Sequence, residues 1–194
     1  MAPMSRVHRR TKETEVELEL ELDGRGKTAI ATGIPFLDHM LNLFAAHGYF
    51  DLKITARGDL EVDQHHTVED IGICLGQAFR QALQERPGFR RYGAAQVPMD
   101  EALAQVVVDL SNRPFLHFQV QFPPGLAALD PQMVKEFWRA VSVHGGMTLH
   151  IHAPYGDNTH HIIEAIFKAA GRALDQATQP EPRTKGAPST KGVL

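Results

Sequence analysis

"DQHHTVEDIG" at residues 63–72 and "DNTHHIIEAI" at residues 157–166 carry one pattern twice, a histidine pair with a glutamate three residues after its second member. The surroundings repeat as well. His39 stands eight residues before the "HG" of His47–Gly48, and Glu136 stands eight before His144–Gly145. After each comes a strand-like run, a loop and the HHxxE segment. Self-similarity at this spacing predicts a duplicated fold.

The remaining elements fit that duplication. In "TEVELELEL" (14–22), Val16, Leu18, Leu20 and Leu22 alternate with glutamates, the period of a half-buried strand. "DGRG" turns the chain and "KTAIAT" (27–32) reads as the returning strand. "IPFLDHMLNLFAAHG" (34–48) is an expected helix, with Pro35 near its start and Gly48 ending it. "YFDLKITA" (49–56) is a strand, and a long amphipathic helix follows, Thr67 to Gln84, closed by "RPG". The second half repeats the order with "ALAQVVVDL", "RPFLHFQVQF", "DPQMVKEFWRAVSVHG", "MTLHIHA" and "THHIIEAIFKAAGRALDQA". Each half therefore reads strand-strand-helix-strand-helix, an α+β class. The expected half-repeats are 5–90 and 91–180, forming one domain, with a tail over 181–194.

Composition narrows the function. The chain has 194 residues, 43% hydrophobic and 22% charged, enough for an ordinary core. A formal net charge of −3 gives no basis for general nucleic-acid or anionic-membrane binding. No apolar run approaches the ~18 residues of a spanning helix. The basic N-terminus "MAPMSRVHRR" has no apolar stretch behind it, so no secretory signal is expected. A lone cysteine, Cys74, rules out an internal disulfide framework and fits a reducing cytosol. The 11 histidines are the compositional anomaly.

On a helix, residues four apart share a face while adjacent ones diverge by about 100°. His65 with Glu69, and His160 with Glu164, can each converge on one ion, while His66 and His161 point elsewhere. One cluster cannot complete a metal site; two clusters, within one chain or across subunits, can complete two. Imidazole and carboxylate without thiolate suit Mn, Fe, Zn, Co or Ni, and octahedral Mn(II) is reasonable. A single HHxxE is also what a polar first helical turn looks like; the second copy at the same repeat phase favours metal binding. His39 on an apolar helix and Glu136 at the matching position join the candidates by phase. His47 and His144 sit at helix ends, where a histidine complements the helix dipole. Arg91, Arg113, Ser189 and Lys191 are loop or tail groups suited to a phosphate, each alone readable as a surface group. The tail "QPEPRTKGAPSTKGVL" has a disordered composition.

The motifs "RRTKET", "GIPFLDHML", "DQHHTVEDIGICLGQA", "RYGAAQVPMDEALA", "DLSNRPF", "GDNTHHIIEAIFKAAGRAL" and "STKG" resemble the imidazoleglycerol-phosphate dehydratase family, in its monofunctional form, from about Ser5 to the C-terminus. The resemblance implies a duplicated fold like the second domain of ribosomal protein S5. It also implies two Mn(II) per active site and a cytoplasmic homo-oligomer of 24 subunits with shared sites. Its metal ligands map to His39, His65, His66, Glu69, Glu136, His160, His161 and Glu164. Glu136 stands where some members have histidine, and His144 is the alternative. Glu13, His47, Arg91, Arg113, Ser189 and Lys191 map to substrate contacts, Glu13 and His47 being catalytic, and the tail would close on the phosphate. The implied reaction, a step of histidine biosynthesis, dehydrates imidazoleglycerol phosphate to imidazole-acetol phosphate. The expected route holds the ring as a di-manganese-bound imidazolate that expels the neighbouring hydroxyl, with Glu13 as base for the next C–H. A dinuclear phosphohydrolase and a non-catalytic metal-binding shell protein are the rival readings.

Overall fold

The computed structural model describes residues 4–86, 88–125 and 127–183. The first half contains β1 (Ser5–Arg10), β2 (Thr14–Glu21), β3 (Thr28–Ala31), α1 (Pro35–Gly48), β4 (Asp51–Gly58) and α2 (His65–Gln84). The second contains β5 (Tyr92–Met99), β6 (Ala102–Asp109), β7 (Phe115–Val120), α3 (Pro131–Gly145), β8 (Thr148–Tyr155) and α4 (Thr159–Thr178). The expected order is present in both halves, each preceded by one further strand. The two four-stranded sheets have matching orders, β1-β2-β4-β3 and β5-β6-β8-β7, with a parallel pair at one side of each.

Alternation decides which face of β2 is buried. Val16, Leu18 and Leu20 point inward and are essentially inaccessible, while the intervening glutamates face out. Helix α2 covers the first sheet and α4 covers the second. The helices also pack across the repeat, α2 along α3 and α1 along α4. Phe44, Phe79, Trp138 and Phe167, one from each helix, meet where the halves join. Phe44 lies 5.9 Å from Trp138, and Trp138 lies 5.0 Å from Phe167 between ring centroids. One apolar core thus spans both halves.

Glycines set how closely the helices approach. A Cβ on Gly76 of α2 would lie 2.7 Å from both Gly145 N and Val141 O of α3. Gly171 of α4 meets α1 in the same way, at Phe44 O and Gly48 N. Gly48 consequently does not terminate α1 by adopting a left-handed conformation. It is buried in the last turn, and Tyr49 is the cap, at φ 56°. Helix α2 starts at His65, two residues earlier than expected, so its histidines lie in the first turn, with Asp63 Oδ1 accepting from His65 N at 2.7 Å. Cys74 is buried, and burial pushes its thiol up to about 12.

The α2–α3 contact gives a stability prediction. G76A gains about 1 kcal/mol of helix propensity but sets its methyl against two backbone atoms that cannot move independently. Overpacking of this kind costs about 1–3 kcal/mol, and backbone opposition puts this site at the upper end. The expected outcome is a lower thermal unfolding midpoint; an unchanged or higher one would show that the helices can separate freely.

Candidate metal centre

The interleaved helices bring candidate ligands from opposite halves together. His39 of α1, and His160 and Glu164 of α4, place one ligand atom each within 4.8 Å of one another. Glu164 is buried while both histidines are exposed. His160 Nε2 is 3.5 Å from Glu164 Oε2, and Lys168 Nζ is 2.9 Å from Glu164 Oε1. Burial opposes ionisation of Glu164, but the Lys168 hydrogen bond and charge, with His160 and His39 nearby, hold its carboxyl below its ordinary value. Phe36 meets the His160 ring edge-on at 5.1 Å. Two imidazoles and an ionised carboxylate without thiolate fit a borderline or hard divalent ion, and three donors leave half of an octahedral shell for other ligands.

The matching residues on α2 and α3 are arranged differently. His65 Nε2 is 3.8 Å from Glu69 Oε2. Arg139 bridges the two carboxylates, donating from Nε to Glu136 Oε2 at 2.7 Å and from Nη2 to Glu69 Oε1 at 3.4 Å. This set is gathered around a guanidinium. Asp70, beside it, is structural: Arg9 Nε donates to Oδ1 at 2.8 Å and Thr14 Oγ1 donates to Oδ2, which ties α2 to β1 and β2.

His66 and His161 turn away from their neighbours, with interplanar angles of 84° to His65 and 81° to His160. Each has a carboxylate at Nδ1: Asp59 Oδ2 at 3.0 Å from His66 and Glu101 Oε2 at 2.7 Å from His161. The Asp59 hydrogen bond raises the His66 imidazole, and Glu101 does the same for His161. Glu101 is itself drawn down to about 2, first by His161 and then by backbone N–H groups that include Asp157 and Asn158.

Glu13 is more than half exposed, with Oε2 3.8 Å from His66 Nδ1. Its backbone is pinned, because Thr11 Oγ1 accepts from Glu13 N at 3.0 Å and Asp59 N donates to Glu13 O at 3.1 Å. His47 lies near Lys168 and Arg172; burial first, then those two cations, lowers its imidazole. Burial, then Arg9, likewise lowers His144. Arg91 grips Asp109 with Nε at 2.7 Å and Nη2 at 3.2 Å, and Arg113 Nη2 reaches the same carboxylate at 3.4 Å. Ser189 and Lys191 lie outside the described residues.

A duplicated α+β chain with two HHxxE helices can now be set beside known proteins. A family model described as imidazoleglycerol-phosphate dehydratase matches residues 32–174. The chain belongs to the imidazoleglycerol-phosphate dehydratase family. It is 59% identical over 192 residues to the imidazoleglycerol-phosphate dehydratase of Syntrophobacter fumaroxidans, covering 97% of this chain and 96% of that one. It is 56% identical over 195 residues to that of Geobacillus kaustophilus, covering 100% of both. Crystal structures of the family superpose closely. The Staphylococcus aureus enzyme gives a TM-score of 0.83 at 40% identity, covering 92% of this chain and 100% of that one. The Pyrococcus furiosus protein gives 0.85 at 41% identity, covering 97% and 100%. Membership makes the chain a hydro-lyase. Among the described residues no helix is long and apolar enough to cross a membrane.

Sequence reading missed Asp59 and Glu101 as partners of the histidines. A signal did exist for Glu101: it directly precedes β6 as Glu13 directly precedes β2.

The grouping of His39, His160 and Glu164 gives a metal-binding prediction. H160A is expected to bind Mn(II) at least tenfold more weakly in calorimetry, with fewer ions retained per chain after desalting. An unchanged ion count and affinity would remove His160 from the ligand set.

Proposed function

We propose that the chain dehydrates imidazoleglycerol phosphate to imidazole-acetol phosphate in histidine biosynthesis, using two divalent ions, Mn(II), per active site. The observation that carries this reading is the cross-half grouping of His39, His160 and Glu164 in a chain of this family. His39, His160 and Glu164 would hold one ion, and Glu136, His65 and Glu69 the other, with His66 and His161 supplying a further imidazole to each. The ions would supply Lewis acidity that acidifies the ring N–H of the substrate, so that the deprotonated ring could help the neighbouring hydroxyl to leave.

The remaining work falls to this chain's side chains. Glu13, with a pinned backbone and an exposed carboxylate, accepts the proton from the carbon next to the one that loses hydroxide. The enol so formed becomes the ketone. His47, whose imidazole is lowered by burial and then by Lys168 and Arg172, is the second group assigned to the reacting end. Arg91 and Arg113, gathered by Asp109, anchor the phosphate, with Ser189 and Lys191 assigned as further phosphate contacts. Binding energy from that remote end orients the reacting end.

The distribution of these groups supports a homo-oligomer with shared sites. Arg91 N donates to the carbonyl of Ala177, near the end of α4, whereas His160 lies near its start. Seventeen residues of helix separate His160 from Ala177, about 25 Å at 1.5 Å per residue. A substrate with three carbons between ring and phosphate cannot span that distance, so ring and phosphate would be held by different copies.

Incubation with imidazoleglycerol phosphate and Mn(II) should yield an enolisable ketone that retains its phosphate ester. E13Q should keep metal and substrate affinity and lose roughly 10²–10⁴-fold in turnover, the range for a general base. Release of inorganic phosphate without ketone would turn the assignment to a phosphohydrolase, and full activity of E13Q would remove Glu13 as the base.

A further inference from the structure

The two halves of the chain diverge at their outward-facing histidines. Glu13 and Glu101 occupy equivalent turns, each the last residue before the second strand of its half. Both lie beside Nδ1 of the second histidine in the HHxxE helix of their own half. Their distances differ, however: 2.7 Å from His161 to Glu101, against 3.8 Å from His66 to Glu13. The difference has a visible cause. In the first half, the residue directly after β4 is Asp59, and its carboxylate takes His66 Nδ1 at 3.0 Å. In the second half, the residue directly after β8 is Gly156, which has no side chain to offer. Glu101 fills that role and is fixed by it, since its other oxygen accepts from Asp157 N at 3.1 Å and Asn158 N at 2.9 Å.

We propose that Asp59 and Glu101 are positioning residues that hold His66 and His161 with Nδ1–H inward and Nε2 free to bind a metal ion, and that Asp59, by serving His66, leaves Glu13 free for the substrate. This rests on the dimetal reading above. An ionised carboxylate can only accept, so each imidazole donates from Nδ1 and its remaining lone pair is on Nε2. A histidine ligand held through its other nitrogen keeps its ring orientation and gains basicity, and loss of such a partner typically weakens metal affinity roughly 10–100-fold. Asp59 Oδ1 is buried with no hydrogen-bond partner among the described residues. His66 is therefore the side chain to which that carboxylate is committed.

The test is Mn(II) titration calorimetry on the full chain, with electron spin-echo spectroscopy of the bound ion to read directly coordinated histidine nitrogen. D59N and E101Q should each bind Mn(II) roughly 10–100-fold more weakly, with altered nitrogen coupling and an unchanged thermal midpoint. E13Q should bind as the wild type does. A double-mutant comparison covers the case in which E101Q also loosens the 156–158 loop. If Glu101 acts through His161, E101Q costs no further affinity in an H161A background. Wild-type affinity and coupling in D59N and E101Q would overturn this inference while leaving the dimetal reading intact, and so would an equal loss for E101Q with and without His161. A loss in E13Q matching that in E101Q would overturn the division of roles. A wild-type chain that binds no Mn(II) would instead remove the dimetal reading itself.

Discussion

Contact between helix backbones at Gly76 with Gly145, and at Gly171 with Gly48, is the constraint on which the candidate site depends. Helices normally pack with axes 8–10 Å apart, spaced by side chains. Glycines at a crossing remove that spacer, and here each crossing joins a helix of one half to a helix of the other. The candidate ligands follow from the same geometry. Glu69 and His65 precede Gly76 by seven and eleven residues, and Glu164 and His160 precede Gly171 by the same intervals. Seven and eleven residues are each within about 20° of whole helical turns. The ligands therefore lie on the glycine stripe, directed at the partner helix. His39 and Glu136 stand nine residues before Gly48 and Gly145, on the helices that receive those stripes.

What the sequence made legible follows from how each element is buried. β2 reads clearly because one face is core and the other solvent, so leucine and glutamate alternate. β1 and β5 escape the same reading because neither carries an unbroken alternation of apolar and polar residues. β1 is "SRVHRR", largely charged outside Val7, and β5 is "YGAAQVPM", with Gly93 pressed against α4 and Pro98 tolerable because the strand is an edge. Gly48 reads as a helix stop, yet packing against Gly171 is what it serves, and that partner is 123 residues away in sequence. The His–Glu pairs of the HHxxE segments were legible as local helical spacing. Asp59 and Glu101 were not, because their pairing with His66 and His161 depends on where a strand end and a turn come to rest beside a helix start.

The duplication is not symmetric in charge, and that asymmetry bears on how the two candidate sets would take up an ion. On the α1–α4 side, His39 and His160 bring imidazoles, Glu164 is the one carboxylate of the trio, and Lys168 lies at its second oxygen. On the α2–α3 side, Glu136 replaces the imidazole, so two carboxylates face each other, and Arg139 lies between them. Three residues after His39 the chain has Asn42, a neutral side chain that donates to Asp38 O at 2.7 Å and neutralises nothing. Arg139 is the local answer to the additional carboxylate, donating to both Glu136 and Glu69. An ion entering that set meets two anionic ligands, which favours a hard divalent cation, but it competes with a guanidinium for Glu136 and Glu69. The α1–α4 set offers less negative charge and no bridging guanidinium. The same repeat thus yields one grouping with a single carboxylate and one whose two carboxylates share an internal cation, so the two positions are chemically distinct although the backbone around them is duplicated.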